Sequence, residues 1–168
     1  WDVVGTYVFV QDNLGVCDVD PMSGTVAGKV TNAFGENVEL VNVTVNGGDN
    51  SMATSATGEF AFNLPLTGDY TITPEKNVDP LNGVSTFDLV LMSKHILGIS
   101  TFDSPYKYIA ADVNKSGTIT AFDIVLIRKV VLARENSFAN NTSWRFIDAD
   151  FQFMDIITAA AAPFMESF

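Results

Sequence analysis

Two stretches of this chain can be laid over one another at an offset of 35 residues. Val84-Ser85-Thr86-Phe87-Asp88-Leu89-Val90-Leu91-Met92-Ser93-Lys94-His95-Ile96-Leu97-Gly98 aligns with Ile119-Thr120-Ala121-Phe122-Asp123-Ile124-Val125-Leu126-Ile127-Arg128-Lys129-Val130-Val131-Leu132-Ala133. Phe87, Val90, Leu91 and Lys94 fall at i, i+3, i+4 and i+7, as do Phe122, Val125, Leu126 and Lys129. That spacing predicts one helix per copy, with an apolar stripe that ends on a base. A duplicated unit this short cannot bury its stripe alone, so the two helices are expected to pack on each other.

The residues before the second helix are rich in oxygen. Asp112, Asn114, Ser116, Thr120 and Asp123 occupy positions 1, 3, 5, 9 and 12 of a twelve-residue loop, with Gly117 at position 6 and Ile119 at position 8. Alternation of this kind turns successive oxygens toward one point, and glycine permits the sharp turn that brings them there. A hard cation with six to eight oxygen ligands, calcium above all, matches that donor set. Thr118 is expected to offer its backbone carbonyl, Thr120 to act through water, and Asp123 to close the shell. The alternative is a glycine turn whose aspartates only cap the helix.

The first copy is less regular. Counting back from Asp88 places Asn77 at position 1, Asp79 at 3, Leu81 at 5, Asn82 at 6 and Gly83 at 7. Leu81 has only its backbone oxygen to give, and the glycine is displaced by one. Two readings stay open: a distorted second calcium site built from Asn77, Asp79, Asn82 and Asp88, or a metal-free turn.

Residues 25 to 75 read differently. Short β-branched or alternating runs (Thr25 to Val30, Val38 to Val45, Glu59 to Phe62, Asp69 to Thr73) are separated by turn clusters such as Asn46-Gly47-Gly48. Short strands with turn signals at this spacing predict a small β-sandwich. Val3 to Val10 is a further strand at the start, which must pair with something. It is expected to come from, or complete, a neighbouring domain.

Both halves resemble known families. Residues of about 77 to 135, with their two loop-helix units, resemble a type I dockerin, a domain that docks onto a cohesin. Asp rather than Glu at position 12 is the dockerin habit. Ser93-Lys94 and Arg128-Lys129 match the polar and basic positions that such domains present to a partner. Phe87 and Phe122 depart from the small hydroxyl residues often found before the closing Asp, and imply a hydrophobic contact. The stretches Val26-Ala27-Gly28-Lys29-Val30, Val41-Asn42-Val43-Thr44-Val45, Thr57-Gly58-Glu59-Phe60 and Gly68-Asp69-Tyr70-Thr71-Ile72 resemble carboxypeptidase-regulatory-like or Cna-B-like sandwich modules of bacterial surface proteins. Together the resemblances imply a module of a large bacterial secreted or cell-surface protein.

The expected organisation is a strand region at 1–18, a β-sandwich (Ig-like or transthyretin-like) at 19–76, a small all-α dockerin-like domain at 77–135, and an aromatic-rich wrapping tail at 136–168. In the tail, Asp148, Asp150 and Asp155 read as surface acids rather than a third cation site, because no glycine turn follows them. Asn140 and Asn141 each begin an N-x-[ST] sequon.

Charge narrows the function. The 20 acidic and 9 basic residues give a net charge of −11, which disfavours nucleic acid and anionic membrane and suits cation binding. The single cysteine, Cys17, and the single histidine, His95, make a zinc site improbable, and His95 is expected to pack beside a helix. No nucleophile–base set or phosphate loop is visible, so catalysis is not expected. The main expectation is a calcium-binding extracellular module that assembles with a partner protein, a cohesin-like domain being the one implied. The alternatives are a structural subunit of a surface fibre or adhesin assembled by strand addition, and an accessory module of a secreted polysaccharide-degrading enzyme.

Overall fold

A computed structural model describes residues 3–11, 23–48, 50–66 and 68–151, with 3–11 as backbone only. Cys17, Phe153, Asp155 and Phe164 lie outside the described residues. Those that are described form two compact units. One comprises Val4–Glu75 with Phe146–Asp150, the other Lys76–Arg145.

The first unit is an N-terminal β region of two small antiparallel sheets. Strands β1 (Val3–Gln11), β2 (Ser23–Asn32), β5 (Glu59–Pro65) and β7 (Arg145–Asp148) form one sheet in the order β5-β2-β1-β7. Strands β3 (Asn42–Val45), β4 (Asn50–Ala53) and β6 (Ile72–Glu75) form the other in the order β4-β3-β6. In β5 the buried residues are Phe60, Phe62 and Leu64, every second position, so one face of that strand enters the core and the other meets solvent. Val30, Val38, Val41, Val43, Val45 and Ile72 complete the core. Buried Thr54 holds its corner together: its hydroxyl donates to the Val38 carbonyl at 2.8 Å and accepts from Val41 N–H at 3.0 Å. Gly58 has φ +76°, and a Cβ there would stand 2.4 Å from the Val30 carbonyl oxygen, so only glycine fits.

Three sequence expectations change here. The first strand pairs within its own chain, Val4 opposite Asn32 through Gln11 opposite Thr25, rather than reaching for a neighbouring domain. Strand β4 (Asn-Ser-Met-Ala) has no β-branched residue to announce it, and is held by pairing with β3 after the Asn46-Gly47-Gly48 turn. The last strand before the helices sits at Ile72–Glu75, where the sequence places one at Asp69 to Thr73; Pro74 is tolerated because β6 is an edge strand.

The second unit contains three helices: α1 (Thr86–Ile96), α2 (Pro105–Ala111) and α3 (Ala121–Val131). The repeat is visible in its caps. Ser85 and Thr120 each accept from the N–H two residues on, and Asp88 and Asp123 each reach back to the N-cap backbone, giving a capping box at both starts. At the other end Gly98 and Ala133, 35 residues apart in sequence, both turn left-handed, at φ +69° and +51°. Helix α2 lies between the two repeats; its sequence signal is Ser104-Pro105, an N-cap followed by proline at the first helical position.

Helices α1 and α3 do pack on each other, but of the stripe that their spacing suggested it is Leu126 that packs against the core while the aromatic and valine members do not. The core is Met92, Ala111, Val113 and Ile127, flanked by Leu89, Ile124, Leu126 and Phe102. Phe87, Val90, Phe122 and Val125 stay exposed. The reason lies in composition: each helix is apolar on more than one face, so a period of 3.6 cannot say which face turns inward. The His95 ring packs as expected, stacked 4.4 Å from Phe102, edge-on 4.9 Å from Tyr108, and accepting the Phe102 N–H at Nδ1 at 3.2 Å.

Candidate metal centre

The loop between α2 and α3 gathers the expected oxygens. Asp112 follows directly on α2, is 2% exposed, and divides its carboxylate: Oδ1 accepts from Ser116 N–H at 2.9 Å and Oδ2 from Gly117 N–H at 2.7 Å. Asn114 Oδ1 accepts from the same Ser116 N–H at 3.0 Å, which brings the two side chains to one point. Ser116 Oγ lies 3.3 Å from Asp112 Oδ1, 3.0 Å from the Thr118 carbonyl oxygen and 3.2 Å from Thr118 Oγ1. Left-handed Lys115 (φ +57°) and Gly117 (φ +80°) make the tight turn possible.

Asp123 closes the loop. It is fully buried, and its two oxygens do separate tasks. Oδ2 accepts from Thr120 N–H and Thr120 Oγ–H, both at 2.9 Å, which is the helix cap. Oδ1 accepts from Val113 N–H at 3.0 Å and Asn114 N–H at 3.3 Å, which ties the helix start to the loop start. Thr120 is therefore a capping residue, its hydroxyl also accepting from Phe122 N–H at 3.2 Å. The Asp123 carboxylate thus both caps α3 and reaches back to the start of the loop.

Among the described residues no three His, Cys, Asp or Glu side chains gather around one point. Any ion here must therefore take amide, hydroxyl and carbonyl oxygens beside two carboxylates. The loop supplies that mixture in Asp112, Asn114, Ser116, the Thr118 carbonyl and Asp123. Neighbouring oxygens spaced 3.0–3.3 Å apart suit a cation bound at about 2.4 Å. An all-oxygen set without imidazole or thiolate fits calcium and not zinc or copper.

The first loop is arranged otherwise. Asn77, Asp79 and Asn82 are exposed. Asn77 Oδ1 accepts from Ser143 N–H at 3.1 Å, outside the repeat altogether. Asp79 is left-handed (φ +41°), its Oδ1 accepts from Leu81 N–H at 3.2 Å, and its carbonyl accepts from Asn82 N–H at 3.0 Å. Asp88 places Oδ2 against Ser85 N–H at 2.7 Å and Ser85 Oγ at 3.1 Å, so it caps α1. Left-handed residues stand at 79 and 83 here but at 115 and 117 in the second loop, so the displaced glycine does reshape the turn.

Of the proposed partner-facing residues, Lys94, Arg128 and Lys129 are exposed. Lys129 Nζ lies 3.8 Å from Glu135. Ser93 turns inward, its hydroxyl donating to the Leu89 carbonyl at 2.7 Å. The residues whose part in the loops sequence reasoning missed are Asn141 and Ser143, which bond to the two loops; their one sequence signal, an N-x-[ST] sequon, points to glycosylation and not to these contacts.

Residues 82–132 match the family model described as the dockerin type I domain. Domains of that family typically bind calcium, in agreement with the second loop. No curated protein and no solved structure matches the chain.

Proposed function

We propose that this chain is a non-catalytic, calcium-binding module of extracellular protein assembly, whose helical unit docks onto a cohesin domain when its second loop is filled. The observation that carries this reading is the pair of buried carboxylates, Asp112 and Asp123, at either end of a loop that also carries the Asn114 amide, the Ser116 hydroxyl and the Thr118 carbonyl, in a segment that matches the dockerin type I family. Dockerin domains bind cohesins during cellulosome assembly. No helix among the described residues is long and apolar enough to cross a membrane.

The protein's part follows from the geometry. Asp112, Asn114, Ser116 and the Thr118 carbonyl would hold the ion from the loop, and Asp123 from the helix. Bound calcium would supply the positive charge that compensates two buried carboxylates in one loop. The chain's own bonds then keep α3 attached to the loop through Val113 and Asn114.

The docking face is duplicated. Phe87 is 63% exposed and Phe122 57%, and Val90 with Val125 and Leu97 with Leu132 repeat the pattern 35 residues apart. Exposed aromatic side chains seven residues before exposed Lys94 or Lys129 on the same helix suit a partner surface that is apolar at its centre and acidic at its rim. The experiment is titration of a cohesin domain into the full chain by calorimetry, with calcium and with EDTA. The expected result is binding in calcium that EDTA abolishes. Binding unaffected by EDTA, or none by a cohesin panel, overturns the reading. Linear polymers of the chain alone would favour the fibre alternative, which the pairing of β1 with β2 already disfavours.

A further inference from the structure

The matched segment ends at residue 132, yet the compact helical unit runs on to Arg145. Its last residues turn back on both loops. Asn141 Nδ2 donates to the Val113 carbonyl at 3.1 Å. Val113 is the residue whose N–H holds Asp123 Oδ1, so its peptide groups are pinned from both sides. Two residues on, Ser143 Oγ donates to the Val78 carbonyl at 2.7 Å and accepts from Val78 N–H at 2.9 Å, while Ser143 N–H donates to Asn77 Oδ1 at 3.1 Å. Asn141 Oδ1 accepts from Thr142 N–H at 3.0 Å and from Arg145 Nη1 at 3.5 Å, which fixes which way the amide points. Buried Trp144, with Lys76 Nζ 5.4 Å from its ring centre, anchors the segment. A small cavity lined by Pro80, Asn82, Val113, Phe138 and Thr142 lies under it, so first loop, second loop and strap meet there.

From this arrangement we infer that residues 141–143 are a strap that positions the second loop for calcium and carries its occupancy to the first. Asn141 is a positioning residue: it touches no ion, and acts by fixing the Val113 peptide on which Asp123 rests. Ser143 is the other end, clamping the start of the first loop at Asn77 and Val78. The two loop starts, distant in sequence, are thereby joined through three consecutive residues. The inference rests on the calcium reading of the second loop.

The test uses the full chain, titrated with calcium chloride against a competing chelator, and amide hydrogen exchange at Val78 and Ser143. Asn141→Ala should weaken calcium binding roughly 3- to 10-fold, the effect of one lost buried hydrogen bond. Asn141→Asp, which keeps the shape and the acceptor but removes the donor, should do the same, and it replaces the alanine variant if that one does not fold. In the unaltered chain, calcium should slow exchange at Val78 and Ser143; in either variant it should not. A merely structural role would lower the melting temperature without separating exchange at Val78 from calcium. Unchanged affinity in a folded variant, or calcium protection of Val78 that survives the loss of Asn141, overturns the strap. If the unaltered chain binds no calcium at all, the calcium reading fails first, and the two failures are told apart.

Discussion

The two copies of the repeat share a helix, a capping box and a left-handed stop, yet their loops have become different objects. In the second copy, buried Asp112 and Asp123 turn toward the same loop, and Asp123 spans from helix cap to loop start. In the first, Asn77 is held by Ser143, Asp79 serves a local turn, and Asp88 caps α1. One residue of displacement in the glycine moves the left-handed turn, and with it the direction in which every following oxygen points. A capping carboxylate is thus a poor witness to a metal site by itself; what distinguishes the loops is where its other oxygen goes.

The largest expected effect is removal of calcium. At ion concentrations about a hundred times the dissociation constant, binding contributes roughly 2.7 kcal/mol. EDTA should therefore lower the melting temperature of the helical unit by about 10–20 °C, followed by circular dichroism at 222 nm. Asp123→Ala should abolish the response, whereas Asp88→Ala should leave it in place and cost only the cap, about 1 kcal/mol. Equal behaviour of the two variants would erase the contrast between the copies. Next in size, Phe122→Ala should weaken cohesin binding about tenfold with the calcium-dependent melt unchanged, as surface plasmon resonance can check. Phe87→Ala measures whether the first helix is read as well.

A smaller effect is expected at the glycines. Gly117→Ala forces a side chain into the left-handed region at φ +80°, costing about 1 kcal/mol and roughly fivefold in calcium affinity. Gly83→Ala carries the same strain at φ +73° and should lower stability without touching that affinity. The smallest concerns His95. Burial lowers its pKa below the ordinary 6.5, and its Nδ1 accepts from Phe102 N–H, so the folded unit prefers the neutral ring. The stability this contributes is present above pH 6.5 and is lost as pH falls through the lowered value. His95→Phe should flatten that part of a melting profile recorded in saturating calcium.

Much of this was legible in the sequence because it was local. The second loop's oxygen-bearing residues, the two repeat helices and the alternation of Phe60 and Phe62 depend on residues within a turn or two of one another. What escaped was set by distant partners. Helices rich in Leu, Val and Ile do not reveal which face turns inward, so Phe87 and Phe122 came out on the surface and Met92 and Ile127 in the core. Strand β4 exists because β3 offers it a partner, and Asn141 matters because the chain brings it back to Val113. No spacing rule contains those returns.

Phe122 stands immediately before Asp123, and its own N–H is held by the Thr120 hydroxyl. On the proposed function, the aromatic ring that would meet the cohesin is borne by the residue adjoining the one that would close around calcium. News of the ion's arrival would then have only a single peptide bond to cross. A receptor that feels for that ring would sense whether the loop is loaded, with no relay through the rest of the molecule.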